Sequence, residues 1–160
     1  MTNKIYEASG MYYTKLPYKW YQIFRKKKYE QTKDYVVYLP RTLFPDTRIF
    51  KPVGAGDFDN KHFNLVWSTV HKIFRFTIKK GYQHNACNVI PDTDNNYKAG
   101  CIHDALSELI AMEIIDFEYF DNVDKYFKLT LMLNGVWAWL SWCYFKAVNN
   151  RLVHSWSKSK

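Results

Sequence analysis

The stretch from Asn96 to Ile115, NYKAGCIHDALSELIAMEII, constrains the fold of this chain more strongly than any other. Its apolar side chains follow the spacing of one buried helical face and lie at Ile102, Leu106, Leu109 and Ile110. We therefore predict an α-helix with this stripe in the core. Asp94 and Asn95 precede the stretch and are suited to capping the helix start, because their side chains accept free backbone N–H groups.

Before this helix the sequence has strand patterns, and after it the sequence has two further helical patterns. Apolar, aromatic and β-branched residues alternate or cluster in three segments, at Asp34–Leu39, Asn64–Thr69 and Val70–Ile78. Two more helices are predicted at Val123–Asn134 and Val136–Asn149, with Gly135 as the turn between them. This order indicates an α+β fold, in which N-terminal antiparallel strands pack on about three C-terminal helices.

A single domain at 1–160 suits a chain of 160 residues, of which 48% are hydrophobic and 19% aromatic. This composition is too apolar for a disordered chain. We expect a basic and aromatic segment, then mainly strands and loops, then helices, then a basic tail, at 1–34, 35–91, 95–149 and 150–160. Within the second segment, Thr47–Phe50 is predicted to be a short strand and Tyr82–Pro91 to be irregular.

Cysteine usage and hydropathy restrict the compartment in which the chain works. Cys87, Cys101 and Cys143 have no metal-ligand spacing, and their odd number argues against a disulfide framework. These cysteines indicate a reducing compartment, and the first ten residues show no apolar segment of a secretory signal. Leu129–Val148 is about as long as a membrane span, but an Asn-Gly pair at 134–135 interrupts it. A buried helical hairpin is predicted instead, and a membrane is disfavoured as a partner.

The last predicted helix carries more aromatic residues than one buried face requires. They cover more than one side of the helix and lie at Trp137, Trp139, Trp142, Tyr144 and Phe145. Two interpretations remain open at this point. The helix either packs on several sides within the domain or presents an apolar face to another subunit.

The positive charge of the chain allows several kinds of partner. The net charge is +8 at pH 7, which attracts nucleic acid, anionic lipid or an acidic protein without distinguishing among them. Four cations, Arg25, Lys26, Lys27 and Lys28, follow a run of aromatic residues, a combination that contacts phosphates and stacks on bases. The alternative, which we favour, is the solvated end of an amphipathic strand or helix.

Three polar residues on the predicted helices are candidates for catalysis or metal binding. His103, Asp104 and Asp124 combine imidazole with carboxylates, which suits Zn, Mn or Fe and a metal-activated water. Adjacent helical residues point about 100° apart, so His103 and Asp104 share one ion only if the helix start distorts. We favour a structural role, with His103 bonded to a backbone carbonyl and Asp104 capping or paired with Arg75 or Lys98.

The order of motifs from about residue 74 to residue 149 resembles a family of unknown function found in tailed bacteriophages and prophages. The family has a strand ending in a Lys-Gly-Phe-like turn, a Thr-Asp-x-x-Ser-x-Pro-like loop and a helix with Ala-x-x-His-Asp-x-Leu-Tyr. This chain has FTIKKGYQHNACNVIP, then AGCIHDALSEL, then NVDKYFKLTLMLNGVWAWLSWCYFKAV. It departs from the pattern at Asn85, Asn88 and Ser107, where the family has an acid, a Ser and a Tyr.

The resemblance implies a protein of a tailed phage, working in the virion or in the cytoplasm of the bacterial host. We expect a virion- or assembly-associated protein without catalysis that binds other phage proteins or a second copy of itself. One alternative is a metal-dependent hydrolase with His103 and Asp104 as catalytic groups, Asp124 as a further ligand and a divalent metal such as Zn. A second alternative is an accessory protein that binds nucleic acid through Arg25, Lys26, Lys27 and Lys28.

Overall fold

Two antiparallel sheets come first in the chain and three α-helices follow, so the predicted α+β class is confirmed. The computed structural model describes residues 5–8, 10–16, 28–51, 56–85 and 93–148. The strands are β1 (Ile5–Ala8), β2 (Met11–Lys15), β3 (Tyr29–Gln31), β4 (Tyr35–Leu39), β5 (Asp57–Asp59), β6 (Phe63–Ser68), β7 (Ile73–Ile78) and β8 (Gln83–His84). The helices are α1 (Asp94–Ala111), α2 (Phe120–Leu133) and α3 (Ala138–Val148).

The first sheet has the strand order β1-β2-β3-β8, and every pairing in it is antiparallel. β1 and β2 form a hairpin around Gly10, whose φ of 82° lies in the left-handed region that glycine adopts without strain. β3 is far from β8 in sequence, but Tyr29 pairs with His84 and Glu30 with Gln83. The predicted irregular segment therefore contains a short strand at its start, while its residues 86–91 lie outside the described part of the chain.

The second sheet has the order β4-β7-β6-β5 and contains the three strands expected from alternation. The fully buried residues of its inner face are Leu39, Phe63, Leu65, Phe74, Phe76 and Ile78. β7 begins later than predicted, at Ile73, because the preceding residues form a turn in which Lys72 has a φ of 50°. Thr47–Phe50 was predicted as a short strand, which is wrong: Thr47–Ile49 is a 3-10 helix, capped by the Asp46 side chain.

Helix α1 buries the predicted stripe at Ile102, Leu106, Leu109 and Ile110, so this prediction is confirmed. The predicted capping residues are wrong, because the helix already includes Asp94 and Asn95. Thr93 occupies the capping position, and its backbone N–H donates to the side-chain oxygen of Asn96 at 2.8 Å. This reverse contact satisfies a backbone donor at the helix start.

The C-terminal helices form a hairpin around Gly135, as predicted, with a φ of 84° at that glycine. α2 begins three residues before the predicted Val123, after a 3-10 turn at Phe117–Tyr119. A small cluster separate from the main core holds the hairpin to α1 and consists of Ala99, Phe127, Leu131 and Tyr144. None of the helices in the described part of the chain has the length and apolar character needed to cross a membrane.

Candidate functional site

His103 and Asp124 meet between α1 and α2. His103 Nε2 lies 2.8 Å from Asp124 Oδ1, and the carboxylate side chain is fully buried while the imidazole is 14% exposed. An ionised carboxylate only accepts hydrogen bonds, so Nε2 is the donor. The ring of Phe127 lies 5.0 Å from the imidazole, between the centres of the two rings, and restricts its rotation. The pair therefore joins two helices and fixes the orientation of the histidine.

Asp104 points away from this pair, toward the first sheet. Its Oδ2 accepts a hydrogen bond from the backbone N–H of Asn85 at 3.0 Å, immediately after β8. One helical turn further along, Glu108 Oε2 accepts from the hydroxyl of Tyr82 at 3.2 Å. Burial, together with the negative charges of Asp104 and Glu108, raises the pKa of Tyr82 well above its usual value. Asp104 and Glu108 thus attach this face of α1 to the segment containing β8.

The structure brings together two of the three residues considered for a metal. His103 and Asp124 are in contact, but Asp104 bonds to the other side of α1, as the helical geometry of neighbouring residues requires. Across the described ranges, His, Cys, Asp and Glu side chains form no group of three that could hold a metal ion. The donor set in the described ranges therefore does not fit a three-ligand centre. Arg75 and Lys98 were considered as partners of Asp104. Arg75 Nη2 lies 3.5 Å from Asn64 Oδ1, and Lys98 Nζ lies 5.4 Å from the centre of the Tyr35 ring.

A buried polar cluster lies beside β3, β8 and α1 and was not expected from the sequence. Gln31 Nε2 donates to the hydroxyl of Tyr97 at 3.1 Å and to the sulfur of Cys101 at 3.2 Å. The same hydroxyl lies 2.9 Å from His84 Nε2. All four side chains are at most 1% exposed. Burial raises the pKa of the Cys101 thiol well above its usual value.

The basic segment proposed for nucleic acid is only partly described. Arg25, Lys26 and Lys27 lie outside the described residues. Lys28 is 5% exposed, and its backbone pairs with both neighbouring strands of the first sheet, with its N–H 2.9 Å from the carbonyl oxygen of His84. A buried lysine offers little surface to a phosphate backbone. Nucleic-acid binding by this segment stays a prediction from sequence.

The most unusual surface of the described chain is apolar and lies on the C-terminal hairpin. Six of the twelve large apolar side chains that are exposed fall within 14 residues of sequence. We call them the hairpin surface, and they are Leu129, Met132, Leu133, Trp137, Trp139 and Trp142. Leu133 is 74% exposed and Trp137 is 73% exposed. The hairpin was predicted to be buried, which is wrong for this side: only its inner side, including Ser141 and Tyr144, is in the core.

Comparison of the chain with models of protein families, with curated proteins and with solved structures gives no match. The resemblance to a tailed-phage family therefore stays a prediction from the motifs around His103. The function has to be argued from the surface and the polar contacts themselves.

Proposed function

We propose that this protein is a virion- or assembly-associated protein of a tailed bacteriophage that works by binding other proteins rather than by catalysis. The hairpin surface is the observation that carries this proposal. Its six large apolar side chains are exposed on one helical hairpin, which costs free energy in water, and large exposed apolar surfaces of soluble proteins usually mark binding sites. Tryptophan and methionine are also the side chains enriched at protein interfaces. The phage assignment itself rests on the resemblance in sequence.

The polar residues of the family-like motif support the same conclusion. His103 bonds to Asp124 across two helices, and Asp104 bonds to the backbone of Asn85. Glu108 bonds to Tyr82 in the same region. Each of these contacts joins elements that are distant in sequence, which is what a polar cluster does when it stabilises a fold. The hairpin surface, by contrast, is exposed and lies outside the core.

The proposal is tested in the phage whose genome encodes the chain. Leu133→Gln, Trp139→Gln and Trp142→Gln together remove half of the hairpin surface while keeping good helix formers on α2 and α3. The matched control is Tyr38→Ser with Val70→Ser, which removes exposed apolar side chains from β4 and from the β6–β7 turn. We expect the triple variant to reduce phage yield or to be lost from purified virions by mass spectrometry.

Two results would contradict the proposed function. One is a triple variant that is incorporated and supports phage growth as well as the control variant does. The other is a wild-type chain that is absent both from virions and from assembly intermediates. Thermal unfolding of the purified variants shows whether both remain folded, so that a loss of yield is assigned to the surface.

A hydrolase is the second candidate function, and the hydrogen bond between His103 and Asp124 favours it. A buried carboxylate that holds an imidazole in one orientation is also how a general base is positioned. Here His103 would accept a proton from water at Nδ1, and Asp124 would orient the ring through Nε2. The test compares wild type with His103→Gln on cell-wall fragments and on nucleotides. Hydrolysis that disappears in this variant supports the candidate, and hydrolysis unaffected by it, or none at all, rejects it.

A further inference from the structure

We infer that the hairpin surface is the interface of a two-fold symmetric homodimer. This inference rests on the proposed function, because it names the partner for the same surface. Three observations on this chain argue for a second copy: the composition of the surface, its area and the distribution of charge around it.

The composition of the hairpin surface is that of the centre of a protein interface. Its six members are three tryptophans, two leucines and a methionine, and none of them is charged. Charged residues are depleted at the centre of interfaces, and tryptophan is the residue most often found to dominate binding free energy. One lysine stands at the edge of the surface: Lys146 Nζ lies 5.6 Å from the centre of the Trp142 ring. An apolar centre with a polar rim is the usual anatomy of a specific interface.

The area of the surface matches what a stable dimer needs. A large side chain that becomes buried removes ~150–250 Å² from water, so the exposed fractions of the six residues amount to roughly 500–850 Å² per copy. A standard specific interface buries about 800 Å² on each partner. The hairpin surface alone therefore provides most of one half of such an interface, without any contribution from the surrounding rim.

The charges around the surface make it complementary to itself. Of the seven acids at 99–124, Asp104, Glu108 and Asp124 bond within the fold, and the exposed ones are Glu113, Glu118 and Asp121. Residues 125–148, by contrast, contain three Lys and no acid. The exposed face of α2 follows this division, with Asp121 at its start, then Lys125, Leu129 and Met132. In a dimer with a two-fold axis, the two copies use the same surface, and one end of that surface contacts the opposite end in the other copy. Antiparallel α2 helices would then place the acidic start of one copy toward the basic part of the other.

The oligomeric state of the purified full chain tests the inference directly. Sedimentation equilibrium measures the dissociation constant of wild type, of the triple variant Leu133→Gln, Trp139→Gln, Trp142→Gln, and of the control Tyr38→Ser, Val70→Ser. We expect wild type and control to form dimers at micromolar concentration. The triple variant should dissociate at least ~100-fold more readily, because it removes two tryptophans from the centre of the interface.

Cys143 supplies an independent readout, because it is exposed on α3 next to Trp142. In a dimer through this surface, alkylation of Cys143 should slow as the protein concentration rises above the dissociation constant. In a Cys87→Ser background, a short bis-maleimide should also link two copies through Cys143, and adding Cys143→Ser should abolish that product. The triple variant should show fast alkylation at every concentration and no cross-linked product.

The outcomes separate the dimer from the other occupants of the surface. Wild type that stays monomeric up to about 100 μM, well above the range of specific interfaces, overturns the homodimer. So does a monomer that binds vesicles of phosphatidylcholine and phosphatidylglycerol, or a single-stranded oligonucleotide, through the same tryptophans. If wild type is monomeric but the triple variant is still lost from virions, the homodimer fails and the proposed function stands. If the triple variant is monomeric and assembles normally, the homodimer stands and the proposed function fails.

Discussion

His103 Nε2 and Asp124 Oδ1 lie 2.8 Å apart and join α1 to α2 where the carboxylate is fully buried. A charge that is removed from water is tolerated only when it is paired and hydrogen-bonded. The histidine is therefore needed by the fold whether or not it has a chemical role. Asp104, the next residue of the same motif, makes a different contact on the opposite side of α1.

Removing the histidine should destabilise the protein strongly. His103→Ala takes a donor away from a buried carboxylate, and breaking a buried charged pair in this way costs about 3–5 kcal/mol. His103→Gln keeps an N–H donor and should recover part of that loss. Urea unfolding at neutral pH measures both, and His71→Ala is the control because His71 is exposed in the β6–β7 turn. A loss for His103→Ala no larger than that of the control contradicts the structural role.

The sequence was sufficient to predict features that depend on local periodicity. The stripe at Ile102, Leu106, Leu109 and Ile110 repeats within one helix, so the buried face of α1 follows from spacing alone. The turn at Gly135 was predicted for a comparable reason, because a glycine after an asparagine permits the left-handed backbone that ends a helix. Apolar alternation likewise gave the central strands of the second sheet.

Contacts between residues far apart in the chain could not be predicted in this way. Gln31 and His84 meet only because β3 pairs with β8, and both strands are too short and too polar to show a periodic pattern. The separation of Asp104 from His103 was predictable from helical geometry, but their partners, Asn85 and Asp124, were not. Exposure of Trp139 was also undetermined, because an aromatic helix with a partner in the same chain has the same sequence pattern as one without.

Gln31 should stabilise the protein through the buried polar cluster. Gln31→Ala removes one donor from the hydroxyl of Tyr97 and one from the sulfur of Cys101, and a hydrogen bond of this kind contributes about 0.5–1.5 kcal/mol. Gln83→Ala is the matched control, because Gln83 is on the adjacent strand and bonds Glu30 on the exposed side at 2.7 Å. We expect the free energy of unfolding to fall by about 1–3 kcal/mol for Gln31→Ala and by under about 0.5 kcal/mol for Gln83→Ala.

Urea unfolding of the two glutamine variants decides between a structural cluster and a dispensable one. Equal losses for Gln31→Ala and Gln83→Ala would show that the cluster contributes nothing beyond ordinary surface contacts. Reactivity of Cys101 with a thiol reagent gives a second measure, because its buried thiol should become accessible only through unfolding. A Cys87→Ser, Cys143→Ser background leaves Cys101 as the one thiol in that measurement.

Divalent metal ions should leave the stability of the protein unchanged. The Nε2 of His103 already donates to Asp124, and Asp104 accepts from the backbone of Asn85 on the other side of α1. A site occupied at 100 times its dissociation constant would add about 2.7 kcal/mol to the free energy of unfolding. Thermal unfolding with added Zn or Mn, and after treatment with a chelator, measures the effect. A rise in Tm that requires His103 would contradict this expectation and favour the metal-dependent alternative.

Alkaline pH should weaken the protein partly through Tyr126. Burial raises the pKa of this phenol to about 12, from an ordinary value near 10. Since the folded state holds the proton more tightly than the unfolded state, the stabilisation is fully present below pH 10 and is lost as the pH rises through 12. Tyr126→Phe cannot ionise, so between about pH 8 and pH 11 it should gain roughly 1 kcal/mol of stability relative to wild type. Urea unfolding across this range measures the difference, with Tyr38→Phe as a control that removes an exposed hydroxyl. Parallel pH profiles for wild type and Tyr126→Phe would show that this phenol ionises equally well in the folded and unfolded chains.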